Sequence, residues 1–163
     1  MKKEHVEKVS VIIPIYNAKE YMQQCISSIQ SQSHENLEIL LIDDGSSDGS
    51  NIMCDKFAKE DSRIKVIHKE NEGPASARNY GMQMATGDFL CFVDSDDYLE
   101  QYAIEKMLNA MDETIDIVQC RSKKIYNYSR VDLDKWISEE KTLSKIEAMK
   151  DYLLNPQPTI RFS

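Results

Sequence analysis

Residues 9–50, VSVIIPIYNAKEYMQQCISSIQSQSHENLEILLIDDGSSDGS, carry the pattern that decides the fold. Residues 9–15 are a near-continuous aliphatic run closing at Pro14 and Ile15, and residues 37–42 are a second, each bounded by turn residues and too short for a helix. Such runs mark strands buried on both faces of a parallel sheet. Between them Tyr21, Cys25, Ile26 and Ile29 recur at helical spacing, which predicts an amphipathic helix over residues 20–32. Parallel neighbours need a crossover connection, so the stretch reads as one βαβ unit.

Outward from this unit the rhythm repeats. The pattern predicts helices over residues 50–59, 75–85 and 99–111 and strands over 64–68, 89–93 and 115–119. Because crossovers are right-handed, the expected architecture is α/β: an open, mainly parallel twisted sheet with helices on both faces. After residue 120 the alternation breaks. Residues 121–130 read as a strand rich in Tyr and Lys, and residues 143–154 as a helix ended by the NPQP of residues 155–158. Ligands of such sheets sit beyond the carboxyl ends of the strands, so the chemistry is sought just after Ile15, Ile42, His68 and Val93.

Composition bounds the partners. A chain of 163 residues with 41% hydrophobic and 29% charged residues suits one soluble domain burying roughly two thirds of its unfolded surface. No apolar stretch reaches the roughly 18 to 20 residues of a membrane helix, and the opening MKKEHVEK has no apolar run that would serve as a signal peptide, so a cytoplasmic setting is expected. A net charge of -8 argues against nucleic acid, whose backbone must be met by a cationic face. Cys25, Cys54, Cys91 and Cys120 form no C-x-x-C pair and are expected as free, mostly buried thiols.

Four strand ends carry candidate residues. After the first come Pro14, Tyr16 and Asn17, where Tyr16 either offers a flat face to a base or folds into the core. After the second come Asp43 and Asp44; two adjacent acids cannot both be buried unpaired, so at least one faces a ligand or a donor, unless the segment is an ordinary turn capped by Ser46, Ser47 or Asp48. The third leads through Gly73 and Pro74 into a helix with Arg78 in its early turns, a corner suited to a pyrophosphate or simply a helix start with a solvated arginine. The fourth, in FLCFVDSDDYLE at residues 89–100, delivers Asp94, Ser95, Asp96 and Asp97. Three acids in four residues repel unless a cation neutralises them, and hard oxygen ligands suit Mg²⁺ or Mn²⁺, whereas a helix-capping turn needs only one acid.

Together these segments resemble family 2 glycosyltransferases of the GT-A fold, over about residues 9–100. The resemblance implies that Pro14, Tyr16, Asn17 and Asp44 surround the nucleobase and ribose of a nucleoside-diphosphate sugar, most often a UDP-sugar, and that Arg78 lies near the diphosphate. The DSD of residues 94–96 is similar to the family's DxD element, which implies Asp94 toward the ribose, Ser95 through its backbone and Asp96 on the metal, with Asp94 beside it. Sugar transfer to an acceptor hydroxyl with inversion is the implied reaction, and a carbohydrate, lipid-linked sugar or protein the implied acceptor, with peripheral membrane association left open.

The departure from the family pattern is the general base. That carboxylate comes from a later, acceptor-side segment in the family, and no acid after residue 112 stands in a matching context. The expected organisation is therefore a donor-binding core over residues 1–120 and the incomplete start of an acceptor-side region over 121–163, able to bind nucleotide but turning over poorly. A non-catalytic nucleotide-sugar-binding module is the alternative, separated by whether an acidic base segment follows. A phosphorylation receiver domain would need an Asp closing the third strand and a Lys closing the fifth, where this sequence has His68 and Gln119. A nucleotidyltransferase would place a Gly-rich loop after the first strand, where this sequence has IPIYNAKEY.

Overall fold

The computed structural model describes residues 6–112, 114–121, 144 and 159–160. By its internal contacts the chain divides into two units, Met1–Gln119 with Ile160–Ser163, and Cys120–Thr159. The first unit runs β1 (Val9–Ile15), α1 (Lys19–Gln30), β2 (Leu37–Asp44), α2 (Ser50–Glu60), β3 (Ile64–Lys69), α3 (Pro74–Met84), β4 (Phe89–Phe92) and α4 (Ala103–Asn109). Two short strands follow, β5 (Cys120–Arg121) and β6 (Thr159–Ile160).

The four long strands form one parallel sheet in the order β3-β2-β1-β4. The chain moves outward from β1 to β3 and then returns to the other side of β1, so right-handed crossovers put α1 and α2 on one face and α3 on the other. Every residue of β1 and β2 is buried, as expected of central strands covered on both faces. On the α3 face Ile12, Leu40 and Ile42 pack with Ala77. Met22, Cys25, Ile26 and Ile29 supply the buried stripe of α1. The expected α/β architecture is thus the observed one. The point where strand order reverses lies between β1 and β4, which is where such sheets open a crevice.

Pro14 sits inside a central strand, a position usually closed to proline. Ile12 accepts a hydrogen bond from the Val93 amide, so Ile12 and, two residues on, Pro14 turn their backbone groups toward β4. The strand β4 stops at Phe92, so the missing N–H of Pro14 leaves no ladder partner unsatisfied.

Two expectations are corrected. No strand covers residues 115–119: Thr114 donates to Asp112 through its amide and hydroxyl and Ile115 donates to the Asp112 carbonyl, so the chain turns there, and Ile117 is exposed. The helix expected over residues 99–111 also begins late, at Ala103. Carbonyls that such a helix would use are committed to the residues just after α1, Glu100 C=O to Gln32 and Gln101 C=O to Ser33, while the Leu99 amide donates to Ser28 of α1. The predicted strand over 121–130, apart from Arg121, and the predicted helix over 143–154, apart from Ser144, lie outside the described residues. None of the four cysteines is in a disulfide; Cys25, Cys54 and Cys91 are buried, and Cys120 is partly covered. Among the described residues no helix is long and apolar enough to cross a membrane.

Candidate functional site

At the end of β1, Tyr16 is exposed and Asn17 takes the left-handed conformation at φ 49°, one of the few tolerated there by a non-glycine residue. Asn17 is fixed from the β2–α2 turn. Its amide donates to Ser46 Oγ at 3.1 Å, and its Oδ1 accepts from the Ser47 amide at 2.8 Å. Ala18 and Lys19 then donate their amides to Ser50 Oγ and Asp48 Oδ2, satisfying orphan donors at the start of α1 from a neighbouring loop.

The paired acids closing β2 are both buried and both partnered. Asp43 accepts from His68 Nδ1 at 2.7 Å and from the Ser46 amide at 3.0 Å. Asp44 accepts on Oδ1 from Lys69 Nζ at 2.6 Å and the Glu72 amide at 3.0 Å, and on Oδ2 from the Gly73 amide at 2.7 Å. Burial alone would raise the Asp44 pKa; the Lys69, Glu72 and Gly73 donors outweigh it and hold the carboxyl below the usual range. Asp44 therefore anchors the loop that starts α3, where Gly73 sits at φ 91°.

From α3, Arg78 reaches across to Asp94 and forms an ion pair with Oδ1. Asp94 and Asp96 are exposed, Ser95 and Asp97 partly covered, and the Asp97 amide closes a turn on the Asp94 carbonyl at 3.0 Å. Burial, then the Asp96 and Asp94 charges, raise the pKa of Asp97. Beneath the turn, Cys25 donates through Sγ to the Asp94 carbonyl at 3.5 Å; burial, then Asp97, Asp96 and Asp94, push its thiol up to about 12.

Among the described residues no three His, Cys, Asp or Glu side chains already converge as a metal cage. The donor set nonetheless fits a hard divalent ion, because Mg²⁺-type sites use one or two carboxylates with water and substrate phosphates completing the shell.

The structure thus brings Arg78 to Asp94, ties Asn17 to the β2–α2 turn next to the exposed Tyr16, and sets Asp44 beneath the start of α3, all at the carboxyl ends of the strands. Sequence reasoning missed Lys69 and Gln32. Lys69 had a signal: an acid pair in a fully buried strand demands a donor, and the neighbouring strand ends in His68 and Lys69, one opposite each acid. Gln32 had none, since Glu100 and Ile104, which it joins to α1, lie 68 and 72 residues away in sequence.

The glycosyltransferase GlyG of Streptococcus pneumoniae is 40% identical over 128 residues, covering 77% of this chain and 42% of that protein. Staphylococcus aureus TarS, solved in complex with UDP, superposes with a TM-score of 0.58 at 31% identity, covering 63% of this chain and 31% of that one. A mannosyltransferase from Pyrobaculum calidifontis, solved with GDP-Man and Mn²⁺, gives a TM-score of 0.54 at 25% identity over 58% of this chain and 29% of that one. The chain thus spans less than half the length of each of these three proteins. The family profile described as Glycosyl transferase family 2 matches residues 10–158, and with the parallel sheet and its acidic strand ends this makes the chain a member of glycosyltransferase family 2.

Proposed function

We propose that this chain forms the donor-binding part of a glycosyltransferase that moves a sugar from a nucleoside-diphosphate sugar, with UDP as the nucleotide, to an acceptor hydroxyl with inversion and with Mn²⁺ or Mg²⁺. In this reading residues 1–120 hold the donor, residues 121–163 begin the acceptor side, and the acceptor is a carbohydrate, lipid-linked sugar or protein met in the cytoplasm or at the inner membrane face. The observation that carries the reading is the Arg78–Asp94 pair at the point where strand order reverses, with Asp96 exposed beside it. Solved relatives bound to UDP, and to GDP-Man with Mn²⁺, support the donor class and the metal.

The roles follow from chemistry at each position. Tyr16, with Pro14 and Asn17 behind it, offers a flat exposed face on which a base stacks. Asp44 Oδ2 takes one donor and keeps an acceptor position for a base or ribose group. The Arg78 guanidinium exchanges Asp94 for diphosphate oxygens, which it meets as a planar fork, and the released Asp94 turns to the ribose and metal beside the Ser95 backbone. Asp96 and Asp94 would hold the ion, whose charge would favour departure of the nucleoside diphosphate. The general base is left unassigned.

Calorimetric titration of UDP, GDP, ADP and CDP, with and without MnCl₂, on the parent chain and on Asp96→Ala tests this. The expected result is UDP binding that strengthens at least about tenfold with metal and loses that gain in Asp96→Ala. A parent chain indifferent to UDP, or an Asp96→Ala variant that keeps the full metal response, refutes the assignment.

A further inference from the structure

We infer that Gln32 is a positioning residue of the donor site, its buried amide fixing the acidic turn of residues 94–97 by holding the chain on which that turn ends. The inference rests on reading that turn as the metal and ribose edge. Gln32 lies just beyond α1 and is 5% exposed. Its Nε2 donates to the Ser28 carbonyl at 3.0 Å and the Glu100 carbonyl at 2.8 Å, and its Oε1 accepts from the Ile104 amide at 3.1 Å. Only a primary amide satisfies this set, because two carbonyls need donors where one N–H needs an acceptor. Ile104 is the second residue of α4, whose own cap residue makes no side-chain bond, so Gln32 caps that helix from across the fold.

Neighbouring bonds give the contact its reach. Ser28 Oγ donates to the Cys25 carbonyl at 2.6 Å and accepts from the Leu99 amide at 3.0 Å, and the Ser33 amide donates to the Gln101 carbonyl at 2.9 Å. Cys25 Sγ meets the Asp94 carbonyl at the other end of the turn. One face of α1 with its C-terminal extension therefore grips the acidic segment before and after Asp96. The first residue of α1, Lys19, is bonded to the β2–α2 turn that also holds Asn17. A single rigid helix thus sets the distance between the base-side loop and the acidic turn, and sites of this kind tolerate displacements of only about 0.5 Å.

The test compares the parent with Gln32→Glu, which keeps the length but turns an acceptor toward two carbonyl oxygens. Gln30→Ala serves as control, since Gln30 bonds Asp61 and not the acidic segment. Two readouts are taken: amide hydrogen exchange at Leu99 and Ile104, and UDP affinity by calorimetry with and without MnCl₂. Expected for Gln32→Glu are at least tenfold faster exchange at both amides and a tenfold or greater loss of the Mn²⁺-dependent gain in UDP affinity, with metal-free affinity within twofold of the parent and Gln30→Ala like the parent throughout. Parental exchange, a parental metal response, or equal losses with and without metal would overturn the inference. Should Gln32→Glu fail to fold, Gln32→Met, which removes the three amide bonds at similar length and adds no charge, is held to the same criteria. If the parent itself shows no metal-dependent UDP binding, the donor reading falls, and the exchange measurement alone decides whether Gln32 holds the segment.

Discussion

Lys69 Nζ lies 2.6 Å from Asp44 Oδ1, and that one carboxylate also accepts the amides of Glu72 and Gly73. A lysine at a strand end thereby neutralises the acid that anchors the loop leading to α3 and Arg78. Removing the cation leaves a buried carboxylate with backbone donors alone, which favours protonation and loosens the loop. Lys69→Met is therefore expected to lower the melting temperature and weaken Mn²⁺-dependent UDP binding by about tenfold, with Lys69→Arg recovering most of both. Thermal denaturation and calorimetry check it; a Met variant that binds like the parent would place the loop's order elsewhere.

At the opposite end of the sheet Glu38 is 2% exposed and accepts from Lys65 Nζ at 2.6 Å, Ser10 Oγ at 2.7 Å, and the Thr86 amide and hydroxyl at 2.8 and 3.0 Å. Burial would raise its pKa, but these bonds prevail and lower it from the ordinary 4.5 to about 2. A depressed carboxyl stabilises the fold fully above the unfolded value and loses that contribution as pH falls through the folded one. Acid destabilisation between pH 4.5 and 2 is expected to be shallower in Glu38→Gln than in the parent. At neutral pH Glu38→Ala is expected to cost about 1–3 kcal/mol, because the buried Ser10 hydroxyl loses the acceptor it donates to. Urea titrations across pH measure both.

His68 bridges Asp43 at 2.7 Å and Asp55 at 3.2 Å, and the Asp43 bond, against the opposing effect of burial and with help from Asp55, raises its pKa above the ordinary 6.5. A raised histidine contributes stability that is complete below 6.5 and lost as pH climbs through the folded value. The urea midpoint of the parent should therefore exceed that of His68→Gln at pH 6 by more than at pH 9. An NMR titration of His68 should show a midpoint above 6.5.

Two glycines mark close approaches that no side chain fits. A Cβ at Gly81 would come within 2.4 Å of Ile12 Cγ2, and one at Gly87 within 2.7 Å of the Lys8 carbonyl and the Ser10 amide. A methyl group on a buried isoleucine can shift slightly, whereas backbone in a central strand cannot. Gly81→Ala is expected to cost about 1–3 kcal/mol, even after the helix propensity gained, and Gly87→Ala at least as much. Chemical denaturation that finds Gly87→Ala neutral would show that the residue 85–88 turn repacks.

Residues 9–50 by themselves determined the βαβ unit, and the same rhythm continued over residues 64–93 determined the rest of the parallel sheet and the strand ends that carry the acids, aromatic and arginine, because burial on both faces and right-handed crossovers are local consequences of an aliphatic run and a helical stripe. Periodicity misjudged residues 115–119, where an apolar run resembles a strand but Asp112 turns the chain, and residues 99–102, whose backbone groups bond to α1 and the residues just after it. Only the tertiary structure decided which acid meets which cation, that Asp44 is held by Lys69 while Asp94 is held by Arg78, and that Gln32 caps α4. Such pairings depend on which strands lie side by side and on distances of a few ångströms between residues far apart in the chain, and periodicity carries no record of either.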